Sequence, residues 1–287
     1  MLPSPDMVLK AAGCGLLVPA AVTAGGLALA RCGGLRQGAV RIGEVLAVAA
    51  GLAAGFIALA ASGELTWEFL ALEDAWHWLP LLSVAAAVVG VADRALARCR
   101  LLRWGVRLVV AGVAAWLLVR GESAYQEVSP GWYAGLTAAV LALWGVLDPA
   151  VGRWPGAWPA LLLAVVGLSA GAVLALAGIM KFALVAAVPA AVLGGCAGAA
   201  WGDPGESAVR PALPAFAVAL PGLLFSGWFN TFSDVPAASF LLVWAAPLAL
   251  GVTAFLLAPS TKRWPAAVQA AAVLAPVGAA LALAALA

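Results

Sequence analysis

The chain has 287 residues, 65% of them apolar, with 15 Lys and Arg against 13 Asp and Glu and a mean hydropathy of +1.07. Soluble domains carry about 45–50% apolar and about 25% charged residues, so this composition excludes a soluble enzyme, a nucleic-acid binder and a disordered chain. It leaves an all-α polytopic membrane protein, because the apolar runs are too long for the roughly 10-residue alternating strands of a membrane barrel.

Nine stretches of 18 or more residues carry no Asp, Glu, Lys or Arg. Each is near the ~20 residues that cross a ~30 Å hydrocarbon core as a helix. The first, 11–30, follows Lys10 and precedes Arg31. It is longer than the roughly 7–15-residue apolar region of a signal peptide, and the strong cations follow it. It therefore reads as a span entering from outside, interrupted by Pro19. Ala11-Ala12-Gly13-Cys14 resembles a lipoprotein cleavage box, but no apolar run precedes it. The second stretch, 45–63, places Gly51 and Gly55 on one helix face, where small residues let backbones approach.

Glu64–Trp78 (ELTWEFLALEDAWHW) is short, acidic and aromatic, and is expected to lie as a helix in the interface. Glu73 and Asp74 precede His77 by four and three residues, a spacing that shares a helix face. His77 is read as a surface histidine paired with an acid. After the third stretch, 75–92, a tenth candidate span covers 102–121, with Arg103 and Arg107 in its first turns and Arg120 at its end. Arginines near a helix end reach the headgroups by snorkelling. Glu44, Asp93 and Asp148 open or close spans beside arginines and are read as surface ion pairs, which are worth little.

The stretch 128–147 is the fifth span. Only Lys181 separates the next two, 154–180 and 182–202. Gly167 and Gly171 repeat at four residues in the sixth, and Gly194, Gly198 and Gly202 in the seventh, where they are expected to form a contact ridge. The last three stretches are 211–233, 235–261 and 264–287. Pro189, Pro221, Pro247 and Pro276 interrupt the last four spans; each removes a helix hydrogen bond and tends to kink the helix. Between spans eight and nine, Ser226–Ser233 (SGWFNTFS) and Asp234 gather polar groups at one mouth. Val18–Val22 and Val188–Val192 share the sequence VPAAV, too short a match to establish a repeat in a chain this rich in Ala and Val. Ten spans in 287 residues are similar in size to small exporters of the drug/metabolite type, but neither the inward termini nor the five-plus-five repeat of that family is read here.

With ten alternating spans, one side collects Arg31, Arg36, Arg41, Arg94, Arg98, Arg100, Arg103, Arg107, Arg153, Arg210, Lys262 and Arg263, 12 of the 15 cations. Lys10, Arg120 and Lys181 fall on the other. The positive-inside rule puts the cation-rich side in the cytoplasm and both termini outside. Trp67, Trp76, Trp78, Tyr125, Trp132, Tyr133 and Trp228 form the outer aromatic belt, and Trp104, Trp144, Trp154, Trp158, Trp201 and Trp264 the inner one. Trp116 and Trp244 fit neither.

Cys14 and Cys196 lie in spans and Cys32 and Cys99 in cytoplasmic links, so no disulfide framework is expected. One His and no paired cysteines imply no metal centre, and no sequence motif for catalysis or a cofactor is found. The expectation is a single bundle over 1–287 in a cell inner membrane, with no soluble domain, no cofactor and no nucleic-acid partner. Two functions fit. One is a small transporter or permease-like bundle for a hydrophobic or amphipathic molecule, since the spans hold few polar side chains. The other is a non-catalytic subunit or scaffold packed against a membrane-protein partner or a second copy; a lipid-modifying enzyme comes third. For the transporter, Lys181, Asn230, Thr231 and Asp234 are the expected substrate-binding residues, at the outer mouth of spans seven to ten. Reporters active only outside the cell should light up at both termini and at 65–75 and stay dark at 93–103; a dark C-terminus would mean the helix count is wrong by one.

Overall fold

The computed structural model describes residues 13–32, 37–65, 67, 72, 74–123, 128–154, 156–201, 209–257 and 264–287. Asp6, Lys10, Arg36, Glu68, Glu73, Tyr125, Glu127, Gly202, Lys262 and Arg263 lie outside the described residues, as do six of the fifteen residues of Glu64–Trp78. Ten helices are long and apolar enough to cross a membrane, and the protein is an all-α polytopic membrane protein. They are α1 (Val18–Cys32), α2 (Gln37–Ala61), α3 (Ala75–Ala95), α4 (Arg100–Ser123), α5 (Gly131–Arg153), α6 (Ala157–Leu176), α7 (Met180–Trp201), α8 (Leu213–Phe229), α9 (Ala237–Leu256) and α10 (Trp264–Leu286). Short 3-10 turns cover Leu96–Arg98 and Arg210–Ala212.

The ends of these helices follow from local chemistry. Pro19 has no amide hydrogen for the carbonyl four residues back, and the turn before it, Gly13–Leu17, widens into a π-helix. The α6–α7 link needs only three residues because Gly178 takes a φ of +81° and Ile179 donates to the Leu174 carbonyl at 2.9 Å, a Schellman stop. At α3, the Asp74 amide donates to His77 Nδ1 at 3.1 Å, and Trp76 Nε1 donates to Asp74 Oδ2 at 3.3 Å. His77 is therefore buried at a helix start, 3.8 Å from Asp74, rather than on the surface.

The bundle is organised around α8, whose residues from Leu213 to Gly227 are all buried. A helix apolar on every side belongs in the centre. It packs against α3, α4, α5, α6, α7 and α9. The tightest pairs, α1–α2 and α6–α7, meet through glycine. A methyl group on Gly51 would run into the Thr23 hydroxyl, and one on Gly167 would sit 2.9 Å from Ala190 Cβ. Gly55 receives both Pro19 and Val188, so the two VPAAV segments converge on one glycine.

The expected ridge on α7 is corrected. Gly194 and Gly198 face open space, and the contact is made by Gly195, where a methyl would lie 2.5 Å from the Ala20 carbonyl oxygen. A four-residue repeat defines a face but not which way that face turns, and Gly194 and Gly195 stand about 100° apart around the helix. Trp144 is likewise a core residue, 1% exposed, and not an interface anchor. In a thermal melt in mild detergent, Gly195→Leu should cost many degrees and Gly198→Leu should leave the midpoint nearly unchanged.

Candidate functional site

Two features of the packed bundle stand out chemically, one toward each end. At the cation-poor end a cleft opens between α5, α8 and α9. It has a volume of about 340 Å³ and is lined by Trp132, Gly135, Leu136 and Ala139 of α5, Pro221, Leu224, Phe225 and Trp228 of α8, and Ala237, Phe240, Leu241 and Trp244 of α9. On each helix the lining covers seven residue steps, or about 10 Å of depth at 1.5 Å per residue.

Packing explains why the cleft lies there. Toward the arginine-rich end α5 and α9 close on each other, Gly251 against Val146, with no room for a methyl group. Toward the other end the ring systems of Trp132, Phe225 and Phe229 hold the walls, with centroids 4.9–5.6 Å apart. Trp228 meets Phe240 edge-on at 5.9 Å. Gly135 has nothing within 4 Å of the place where a side chain would start, which leaves the space. The back wall on α8 is buried, whereas the rim residues Trp132 and Leu241 are 41% and 62% exposed. The cleft starts at the helix ends, at Trp132, Trp228 and Ala237, and runs about 10 Å inward. Its walls are nearly all carbon, and a polar solute there would leave hydrogen bonds unmade.

The four substrate-binding residues expected from the sequence do not line this cleft. Asn230 Nδ2 donates to Glu122 Oε1 and Oε2 at 2.9 and 3.0 Å and to the Ser226 carbonyl at 2.8 Å, clasping the ends of α4 and α8. Glu122 is buried there. Thr231 Oγ1 donates to the Ser233 carbonyl at 3.0 Å and shapes the turn. Asp234 is exposed. Lys181 is exposed too, its Nζ 5.4 Å above the Trp76 ring. The two links they belong to do touch, since the Phe232 amide donates to the Ala177 carbonyl at 3.1 Å. Among the described residues no ion pair joins Lys181 to Asp234.

At the cation-rich end the helices are tied by charge. Arg107 donates from Nε to Asp93 Oδ1 at 2.6 Å and from Nη2 to Asp148 Oδ2 at 2.9 Å. Arg103 Nη2 bridges the same two carboxylates at 2.8 and 2.7 Å. Glu44 accepts from Arg31 on α1 and Arg94 on α3, each at 3.1 Å, and Arg31 also reaches the Ala199 carbonyl of α7. The Arg107 guanidinium lies 5.3 Å from the Trp104 ring centre and 5.0 Å from that of Trp144, within cation–π range. Arg107 and Asp93 side chains are 3% and 5% exposed. These groups are therefore not the weak surface pairs the sequence implied. They lie inside the helix ends and join α1 to α2, α2 to α3, and α3 to α4 and α5.

Among the described residues no group of three His, Cys, Asp or Glu side chains is placed to hold a metal ion. Compared with protein-family models, curated proteins and solved structures, the chain matches none. The sites are thus read from their own geometry. Removing one partner of a buried ion pair costs about 3–5 kcal/mol because the other charge is stranded. Asp93→Asn, which weakens the acceptor for two arginines, should lower the melting midpoint sharply in detergent, while Glu64→Gln should not move it.

Proposed function

We propose that this multi-pass membrane protein is a small permease-like bundle that takes a hydrophobic or amphipathic molecule into the cleft between α5, α8 and α9, with no catalytic step of its own. The observation that carries the reading is the carbon-walled cavity of about 340 Å³. Small-molecule pockets begin at about 300 Å³, so this volume suits one chain or ring system and not a whole lipid. Pro221 supports the reading, because it removes a backbone hydrogen bond at the cleft wall and leaves α8 easier to bend there. The aromatic rings supply broad apolar contact. In this reading the arginine layer marks the cytoplasmic side of a cell inner membrane, and the cleft faces the outer leaflet.

A second reading rests on a different observation. Gly194 and Gly198 on α7 and Gly278 on α10 face open space, where helices of a partner or of a second copy would pack closely. A subunit of that kind would migrate in mild detergent as a complex or dimer.

The cleft is tested with the purified protein in vesicles containing phospholipid with brominated acyl chains, which quench tryptophan on contact. Trp132, Trp228 and Trp244 should be quenched in the native protein. Gly135→Leu with Ala139→Leu should fill the space and reduce quenching by the share those three indoles contribute, with little change in melting. Equal quenching in both proteins would mean that no chain enters the cleft.

A further inference from the structure

Among the described residues, the charged layer at the cation-rich end does not balance. Its three carboxylates, Glu44, Asp93 and Asp148, are each already bonded to two arginines. Arg210 is left over. Its nearest carboxylate oxygen is Asp148 Oδ1 at 4.0 Å, and its side chain is 46% exposed. It is nevertheless held in place. Its guanidinium lies against Gly152 of α5 so closely that a methyl group there would overlap it, and the turn Arg210–Ala212 packs against α2, α3 and α5. Arg94 spends Nη1 on Glu44 and on the Arg41 carbonyl at 3.5 Å. The Arg41 side chain is exposed and makes no ion pair among the described residues.

Three guanidinium groups thus gather at one end of the bundle, Arg94 paired with Glu44, Arg210 only within 4.0 Å of Asp148 and Arg41 with neither, and like charges beside a low-dielectric interior repel unless an anion joins them. All three lie near the ends of their helices. Arg94 is in the last turn of α3, Arg41 in the second turn of α2, and Arg210 in the turn leading into α8. That is the headgroup level, where basic pockets between helices take anionic headgroups. The planar fork of arginine matches phosphate oxygens in pairs.

We propose that Arg41, Arg94 and Arg210 form a binding site for a phosphate anion at the cation-rich end of the bundle, separate from the cleft. The phosphate belongs either to a lipid headgroup or to a free ion, and the test tells them apart.

The full chain in mild detergent is melted with added phosphatidylglycerol, with phosphatidylcholine, and with inorganic phosphate at matched ionic strength. Phosphatidylglycerol should raise the midpoint by at least about 4 °C, and phosphatidylcholine should do little. A rise with inorganic phosphate as large as that with lipid assigns the site to the free ion. Arg41→Gln with Arg210→Gln should abolish the rise; should that protein not fold, Arg210→Lys alone should keep the charge and lose part of the rise. Asp203 and Glu206 precede Arg210 in the sequence and lie outside the described residues, so Asp203→Asn with Glu206→Gln is measured alongside. The proposal is overturned by the absence of any rise with either anion, by a full rise retained in the double arginine variant, or by a rise seen only when Asp203 and Glu206 are neutralised.

Discussion

Arg107 lies about 10 Å inside the start of α4, by a rise of 1.5 Å per residue, and water does not reach it. Its charge is tolerable there only because two carboxylates and two indole faces surround it. In hydrocarbon no solvent molecule stands ready to replace a missing partner, so every buried polar group must be satisfied by the chain itself. That requirement turns a set of arginines into a set of struts. α3, α4 and α5 share one knot, α1, α2 and α3 share another, and Arg31 extends the second to α7. Charge pairs in a membrane protein are often taken for surface decoration. Here they fix which helices are neighbours at one end.

The opposite end is held differently. Asn230 and Glu122 form a polar clasp there and the Phe232 amide ties two links together, while around the cleft the contacts are aromatic and van der Waals. Dispersion contacts are individually weak and leave more than one arrangement of similar energy. The cleft therefore lies where packing yields, and the contact of Gly251 with Val146 marks where it stops. The proposed function needs a bundle locked at one end and gapped at the other.

Much of this was legible in the sequence. Nine charge-free runs and one apolar run flanked by arginines located ten spans, and the one-sided arginines located the end where the knots formed. Gly51, Gly55 and Gly167 were legible as contact points because small-residue spacing reports close approach. The phase of α7 was not, since Gly194 and Gly195 are equally small and only the neighbouring helix decides between them. Nor was the burial of Asp93 and Asp148, which lie 55 residues apart and are joined only when α3, α4 and α5 assemble. Lys181, Asn230, Thr231 and Asp234 were chosen because polar groups near a membrane attract attention. The cleft has almost no polar group, so polar chemistry did not point to it: Trp132 reads from sequence as a belt residue, Trp244 fits neither belt, and nothing singles out Phe225.

The central claim is that the charged end is rigid and the cleft end is able to part. Pairs of spin labels on α5 and α9, in a cysteine-free background reconstituted in vesicles, measure it directly. One pair replaces Ala134 and Ala238 near the mouth of the cleft, and the other replaces Ala142 and Val252, each within about one turn of the Gly251–Val146 contact. The account expects a single narrow distance distribution at the second pair and a broad or two-peaked one at the first. Equally narrow distributions at both pairs would contradict it, and would leave the bundle a rigid scaffold with a lipid-filled dent.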